Sequence, residues 1–273
     1  DELLAQHTRD GRACVGGECS CACSRVSLQG LASDAVCARL VAHAAQHTLA
    51  CRVWRGDGGA TLCTDDNLYL KLCAAGGELP ATLLFVRLVE RMRRATSIEY
   101  GVPLRSLSPR QAFVSRVVPG TATDSNPIHV DECSIPSYHY SAVLYLSTSA
   151  EALQADAEAA TSIAAAPEAA RAAARDRQTD RQSGEQTRDT ADFAGGELRF
   201  YGRPMETVLP RRGTVALFSS GWENMHEVAG VTAGERYSLP VFFTTQQPPE
   251  AAPWRGARGV RAHDRAARAA ALW

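Results

Sequence analysis

Apolar residues recur along this chain with two different periods, and the two periods sort it into helices and strands. After Ser33, residues Val36, Cys37, Leu40, Val41 and Ala44 return every three or four positions, which predicts a helix with one buried stripe and Ser33 at its N-cap. Pro80 opens a second such run, carried by Leu83, Leu84, Val86, Leu88, Val89 and Met92 to about Ala95. Elsewhere short β-branched and aromatic runs predict strands at Arg25–Leu28, Ala112–Val118, Tyr140–Ser147, Gly195–Phe200, Thr207–Leu209, Thr214–Ser219 and Tyr237–Phe243. Helices ahead of a strand-rich half predict an α+β, mainly β architecture in which N-terminal helices buttress a sheet.

Between and around these elements lie stretches of different composition. Residues 1–24 hold Cys14, Cys19, Cys21 and Cys23 among glycines and small polar residues. Their C-x-C-x-C spacing lacks the second pair that a tetrahedral zinc site needs, so a disulfide-tied or loose entry segment is expected there. Residues 151–191 run alanine-rich and then rich in Arg, Asp, Gln and Thr. Low apolar content after Pro167 predicts disorder or a lone solvated helix, with a substrate-gripping lid as the alternative. Gln-Gln-Pro-Pro after Thr245 marks a boundary, and an Arg/Ala-rich tail occupies 247–273. The expected organisation is therefore 1–24, a main domain 25–246 with an insertion at 151–191, and the tail.

A chain of 273 residues with a net charge of −1 has room for a sizeable core and lacks the basic balance of a nucleic-acid-binding protein. No apolar run reaches the length of a membrane span. The chain starts at Asp1 rather than Met, which fits a processed or truncated chain and leaves a targeting segment open. Nine cysteines are many for a reducing compartment, and an odd number leaves at least one unpaired. A secretory-pathway lumen, endoplasmic reticulum or Golgi, is the expected setting, with the cytoplasm as the other possibility.

Candidate chemistry gathers in the second half. In the extended segment Ile128-His129-Val130-Asp131, His129 and Asp131 share a face. Farther on, His226 and Arg236 stand ten residues apart. If 231–235 form a hairpin loop, Gly230 pairs with Arg236, Val228 with Ser238 and His226 with Pro240. His226, Arg236 and Ser238 then point the same way, with His226 roughly 13 Å from Arg236 at about 3.3 Å per residue. That gap suits a small dicarboxylate. Two imidazoles and one carboxylate make the facial triad of non-haem Fe(II) oxygenases, which leaves three positions of an octahedral ion open. His43 and His47 also lie one helical turn apart, but Ala44 stands where a metalloprotease helix carries glutamate, and a partly solvated helix face is expected there.

The motifs HVDEC, YSAVLYL, DFAGGELRFY, LPRRGTVALFSSGWENMHEV and GERYSLPVFFT, in this order, resemble the catalytic domain of 2-oxoglutarate- and Fe(II)-dependent prolyl hydroxylases, nearest the prolyl 3-hydroxylase (leprecan-like) branch. The resemblance covers about 25–246 and implies a double-stranded β-helix, or jelly-roll. It implies iron ligands at His129, Asp131 and His226, and binding of the distal 2-oxoglutarate carboxylate by Arg236 with support from Ser238. Relatives often place a strand tyrosine against 2-oxoglutarate. Here the inward position reads as Leu144, with Tyr145 outward, leaving Tyr140 or Tyr138 as the replacement. The implied activity is hydroxylation of a peptidyl residue, proline first, with 2-oxoglutarate decarboxylated to succinate, O2 consumed and ascorbate as reductant. Asp131 favours hydroxylation, since related halogenases carry a small residue there. A small-molecule oxygenase and a non-catalytic metal-binding jelly-roll are the alternatives.

Overall fold

The computed structural model describes residues 25–51, 60–63, 79–120, 124–165, 190–201 and 205–246. The cysteine-rich segment 1–24, the tail 247–273 and most of the insertion lie outside these. In chain order the elements are β1 (Arg25–Leu28), α1 (Asp34–Cys51), β2 (Ala60–Cys63), α2 (Leu79–Tyr100), β3 (Ser108–Val117) and β4 (Asn126–His129). Then come the single turn α3 (Asp131–Ser134), β5 (Tyr140–Tyr145), α4 (Ala150–Ala165), β6 (Phe193–Gly195), β7 (Leu198–Phe200) and β8 (Glu206–Val208). The chain continues through β9 (Val215–Ser219), β10 (His226–Val228), β11 (Val231–Gly234) and β12 (Arg236–Thr244).

Among the described residues these strands form three antiparallel sheets. A six-stranded sheet runs β1-β9-β5-β12-β3-β2, a four-stranded sheet runs β4-β10-β7-β8, and β11 pairs with β6. Strand alternation gives the larger sheet two different apolar faces. On one face Tyr140, Ala142, Leu144, Val215, Leu217, Leu239, Val241 and Phe243 form a single core with Cys37, Leu40 and Ala44 of α1 and Phe85, Leu88, Val89 and Met92 of α2. On the other face Tyr145, Ala216 and Phe218 meet Leu198 and Phe200 of the smaller sheet. Two facing antiparallel sheets, one of them backed by helices, are consistent with a jelly-roll core.

Helix α2 extends five residues beyond the point where its apolar stripe ends. Thr96 returns its hydroxyl to the Met92 carbonyl at 2.9 Å, Ser97 bonds the Val102 carbonyl at 2.6 Å, and Gly101 at φ +64° ends the run. His43 is buried rather than solvated. Cys37 and Cys133, the cysteines whose side chains are described, are free thiols, so the expected cross-links find no support here. No described helix is long and apolar enough to cross a membrane.

The hairpin expected between His226 and Arg236 does not form. Strand β10 pairs with β4 and β7 in the smaller sheet, whereas β12 pairs with β3 and β5 in the larger. Gly234, at φ +72°, turns the chain between the two, and its missing Cβ leaves room for the Asp192 carbonyl, which an added Cβ would meet at 2.1 Å. His226 and Arg236 thus approach from facing sheets rather than along one ladder.

Candidate metal and 2-oxoglutarate site

His129 ends β4 and pairs directly with His226, the first residue of β10. Val130 continues extended, and Asp131 opens α3, turning its carboxylate back towards both imidazoles. The three side chains offer ligand atoms that all lie within 4.8 Å of one another. Asp131 Oδ1 is 3.3 Å from His129 Nε2 and 3.9 Å from His226 Nε2.

The remaining atoms of these side chains are committed elsewhere. His129 Nδ1 donates to the Pro127 carbonyl at 2.8 Å, and His226 Nδ1 donates to the Asn224 carbonyl at 2.7 Å. A carbonyl only accepts, so both rings carry a proton on Nδ1, and each ring in its neutral form holds its lone pair on Nε2. The Asn126 amide, 3.2 Å from His129 Nε2, donates to that same lone pair. The Ser141 hydroxyl donates to Asp131 Oδ2 at 2.6 Å and exchanges a bond with the Ser220 hydroxyl at 2.8 Å. His129 Nε2, His226 Nε2 and Asp131 Oδ1 therefore face one another.

Charge follows the same design. Burial works to raise the Asp131 pKa, but His129, His226 and the Ser141 hydroxyl outweigh it and hold the carboxyl below its usual range. Burial lowers the His226 pKa, with His129 adding to the fall against the pull of Asp131. Burial works to lower the His129 pKa as well, yet the hydrogen bond its protonated ring gives Asp131, with the Pro127 carbonyl, leaves it raised. Asp131 and His226 are thus held in the forms that a divalent metal requires, and metal binding would displace the proton that Asp131 favours on His129.

Arg236 lies deeper, on the face of β12 that looks towards the smaller sheet. It is 4 % exposed, donates through Nε to the Gly196 carbonyl at 3.1 Å and through an η nitrogen to Ser238 Oγ at 3.1 Å. No carboxylate among the described residues pairs with it. Its guanidinium carbon sits 5.6 Å from the centre of the Tyr145 ring. Tyr145 is fully buried, and its hydroxyl makes no hydrogen bond of ordinary geometry with the described residues. Burial pushes that phenol up to about 12, so it stays a donor. A buried cation without an anion among the described residues, with a protonated phenol beside it, marks a place for an anionic ligand.

The placement of the tyrosine differs from the sequence reading. Tyr140 shares the helix-facing side with Leu144 and packs against Tyr100, ring centres 5.0 Å apart, so it does not meet Arg236. Tyr138 stacks on Phe242 at 4.4 Å and bonds Gln111. Ser141, Val143 and Tyr145 are the β5 residues that face the smaller sheet, and Tyr145 pairs with Ser238.

Comparison with known proteins agrees with this geometry. Residues 184–244 match the 2OG-Fe(II) oxygenase superfamily, so the resemblance read from the motifs stands. A 54-residue stretch is 44 % identical to 2-oxoglutarate and iron-dependent oxygenase domain-containing protein 3 of Rattus norvegicus, covering 19 % of this chain and 17 % of that protein. A 58-residue stretch is 43 % identical to prolyl 3-hydroxylase 2 of Gallus gallus, covering 20 % of this chain and 8 % of that one. The alignments thus span less than a fifth of either relative. In fold the chain is similar to a prolyl-4-hydroxylase of Pseudomonas putida, with a TM-score of 0.50 and 18 % identity over 82 % of this chain and 94 % of that one.

Proposed function

We propose that the protein is an Fe(II)- and 2-oxoglutarate-dependent dioxygenase that hydroxylates a peptidyl residue, proline foremost. The observation that carries this is the convergence of His129, Asp131 and His226 within 4.8 Å. Iron bound there, with 2-oxoglutarate and O2 as co-substrates, supplies oxidation of a C–H bond coupled to decarboxylation of 2-oxoglutarate to succinate and carbon dioxide.

The chain's own contribution is positioning. His129 and His226 present Nε2 because Pro127 and Asn224 hold Nδ1, and Asp131 presents Oδ1 because Ser141 holds Oδ2. Arg236 gives the distal carboxylate of 2-oxoglutarate charge-assisted hydrogen bonds. Ser238 and the protonated Tyr145 hydroxyl supply further donors on the same face. The apolar layer of Phe200, Phe218 and Ala216 keeps water from the inner end. Domain limits at 25 and 246, ascorbate as reductant and a secretory lumen belong to the same proposal; the cysteine count supports the last. Thiol titration of denatured protein from its native source checks the compartment. Fewer than nine free thiols are expected, and nine would count against it.

Incubation with Fe(II), 2-oxoglutarate, ascorbate and a panel of proline-containing peptides tests the activity. Succinate and a peptide heavier by one oxygen are expected, and His129→Ala should lose both together with retained iron. Succinate from free amino acids alone would move the protein to the small-molecule oxygenases. No succinate under any condition would leave a binding domain only.

A further inference from the structure

The orientation of His226 is set by Asn224, and Asn224 is in turn gripped by a residue from the opposite end of the described chain. Asn224 is 1 % exposed and closes a single 3-10 turn, Trp222–Asn224. Its backbone carbonyl receives the Nδ1 proton of His226, so any rotation of this turn swings the imidazole. A lone 3-10 turn, here with Asn224 N–H on the Gly221 carbonyl at 3.0 Å, has little rigidity of its own. The side chain supplies the rest. Its amide nitrogen donates to the Ser219 carbonyl at 3.0 Å and the Ser219 hydroxyl at 2.8 Å, which ties the turn to the end of β9. Its amide oxygen accepts Nε of Arg25 at 2.8 Å across 199 residues of sequence.

Arg25 is itself held. It is 7 % exposed on β1, opposite Phe218, with its guanidinium carbon 4.8 Å from the centre of the Phe200 ring and an η nitrogen 3.6 Å from Glu206. Phe200 and Phe218 both lie against the His226 ring, at 5.6 and 4.9 Å between centres. Arg25 therefore reaches the imidazole by two routes, through the Asn224 amide and through the aromatic pair. An arginine whose task was surface charge would stay in solvent; this one gives up hydration to aim a neutral amide.

We infer that Asn224 is a positioning residue for the metal ligand His226, and that Arg25 sets the metal affinity of the site through it. This rests on the metal-site reading above. Titration of Mn(II) into the metal-free full chain, followed by 2-oxoglutarate at saturating Mn(II), separates the possibilities. Asn224→Ala and Arg25→Met should each still bind one Mn(II) per chain, with the dissociation constant raised about 10–100-fold, the usual effect of removing such a partner. Arg25→Lys, which keeps a donor and the charge, should fall between them and the parent. Affinity for 2-oxoglutarate at saturating metal should change less than about twofold, because Arg236, Ser238 and Tyr145 sit on other strands. Proportional loss of both affinities would mean general loosening and overturn the inference, as would Mn(II) binding equal to that of the parent. If Asn224→Ala does not fold, Arg25→Lys and Ser219→Ala give the same reading by the same criteria. A parent that binds no Mn(II) would overturn the metal site itself, a result distinct from either of these.

Discussion

Asp131 shows how a few neighbours decide what a buried group does. It is 6 % exposed, a setting that by itself favours the neutral acid, yet two imidazoles and a serine hydroxyl keep it ionised. The same logic makes Tyr145 a donor rather than an anion. Tyr145→Phe should therefore raise the dissociation constant for 2-oxoglutarate about tenfold, on the order of 1.4 kcal/mol, with metal binding unchanged. Tyr140→Phe should leave that constant unchanged, and calorimetry on the pair checks both. The metal triad was legible in the sequence because two histidines and an aspartate keep their identity whatever the strand register. Tyr145 was not, because β5 is buried on both faces. A strand apolar on both sides gives no sign to its alternation, and an error of one residue reverses every side chain. Ser141 was the available clue. It is the polar residue of β5 that serves Asp131, and Tyr145 lies four residues on, on its face.

At the scale of elements, the Gly195–Gly196 pair carries the passage from β6 to β7. Both residues have positive φ, at 76° and 72°. A Cβ on Gly196 would approach Arg236 Cδ at 2.8 Å, while the carbonyl of Gly196 accepts the Arg236 Nε proton. Gly196→Ala should weaken 2-oxoglutarate binding by tenfold or more while Mn(II) still binds, because it displaces the guanidinium and leaves β4 and β10 in place. Loss of metal in that variant would contradict this division of labour. On the outer face, Leu144→Ala removes a side chain wholly buried beneath α1 and α2. Denaturant unfolding should show a loss of about 2–5 kcal/mol, whereas an exposed substitution such as Arg199→Ala should change little. The short helical spacing of α1 and α2 was readable in sequence, as were most strands. The pairing of β10 was not. Neighbouring strands usually pair, and that expectation placed His226 and Arg236 in one hairpin; only long-range contacts with β4 and β7 decide otherwise.

For the molecule as a whole, charge pairs tie stability to pH, one joining distant strands and one lying within α2. The Arg116 hydrogen bond lowers the Glu235 pKa from 4.5, and Tyr237 assists. For Glu90, burial works to raise the pKa, but hydrogen bonds from Arg93 and Arg94 overcome it and leave it lowered from 4.5. A folded-state pKa below the unfolded one contributes stability above the unfolded value, and that contribution is lost as pH falls through the folded value. Denaturation midpoints should therefore drop as pH is taken below about 4.5, and Glu235→Gln should flatten part of the decline. A midpoint that is level over this range would count against these pairs. The overall architecture was legible from the order of periods along the chain. How the sheets close was not, because β1 and β9, or β12 and β3, meet across more than a hundred residues and leave no local trace.

The central claim is that one metal ion and one dicarboxylate share the space between the sheets. Anomalous diffraction from crystals of the Mn(II)–2-oxoglutarate complex tests it most directly. The expected result is a single strong manganese peak bounded by His129 Nε2, Asp131 Oδ1 and His226 Nε2, with the far carboxylate of 2-oxoglutarate on Arg236 beside Tyr145. A manganese peak that misses any of those three side chains, or a carboxylate bound away from Arg236, would contradict it.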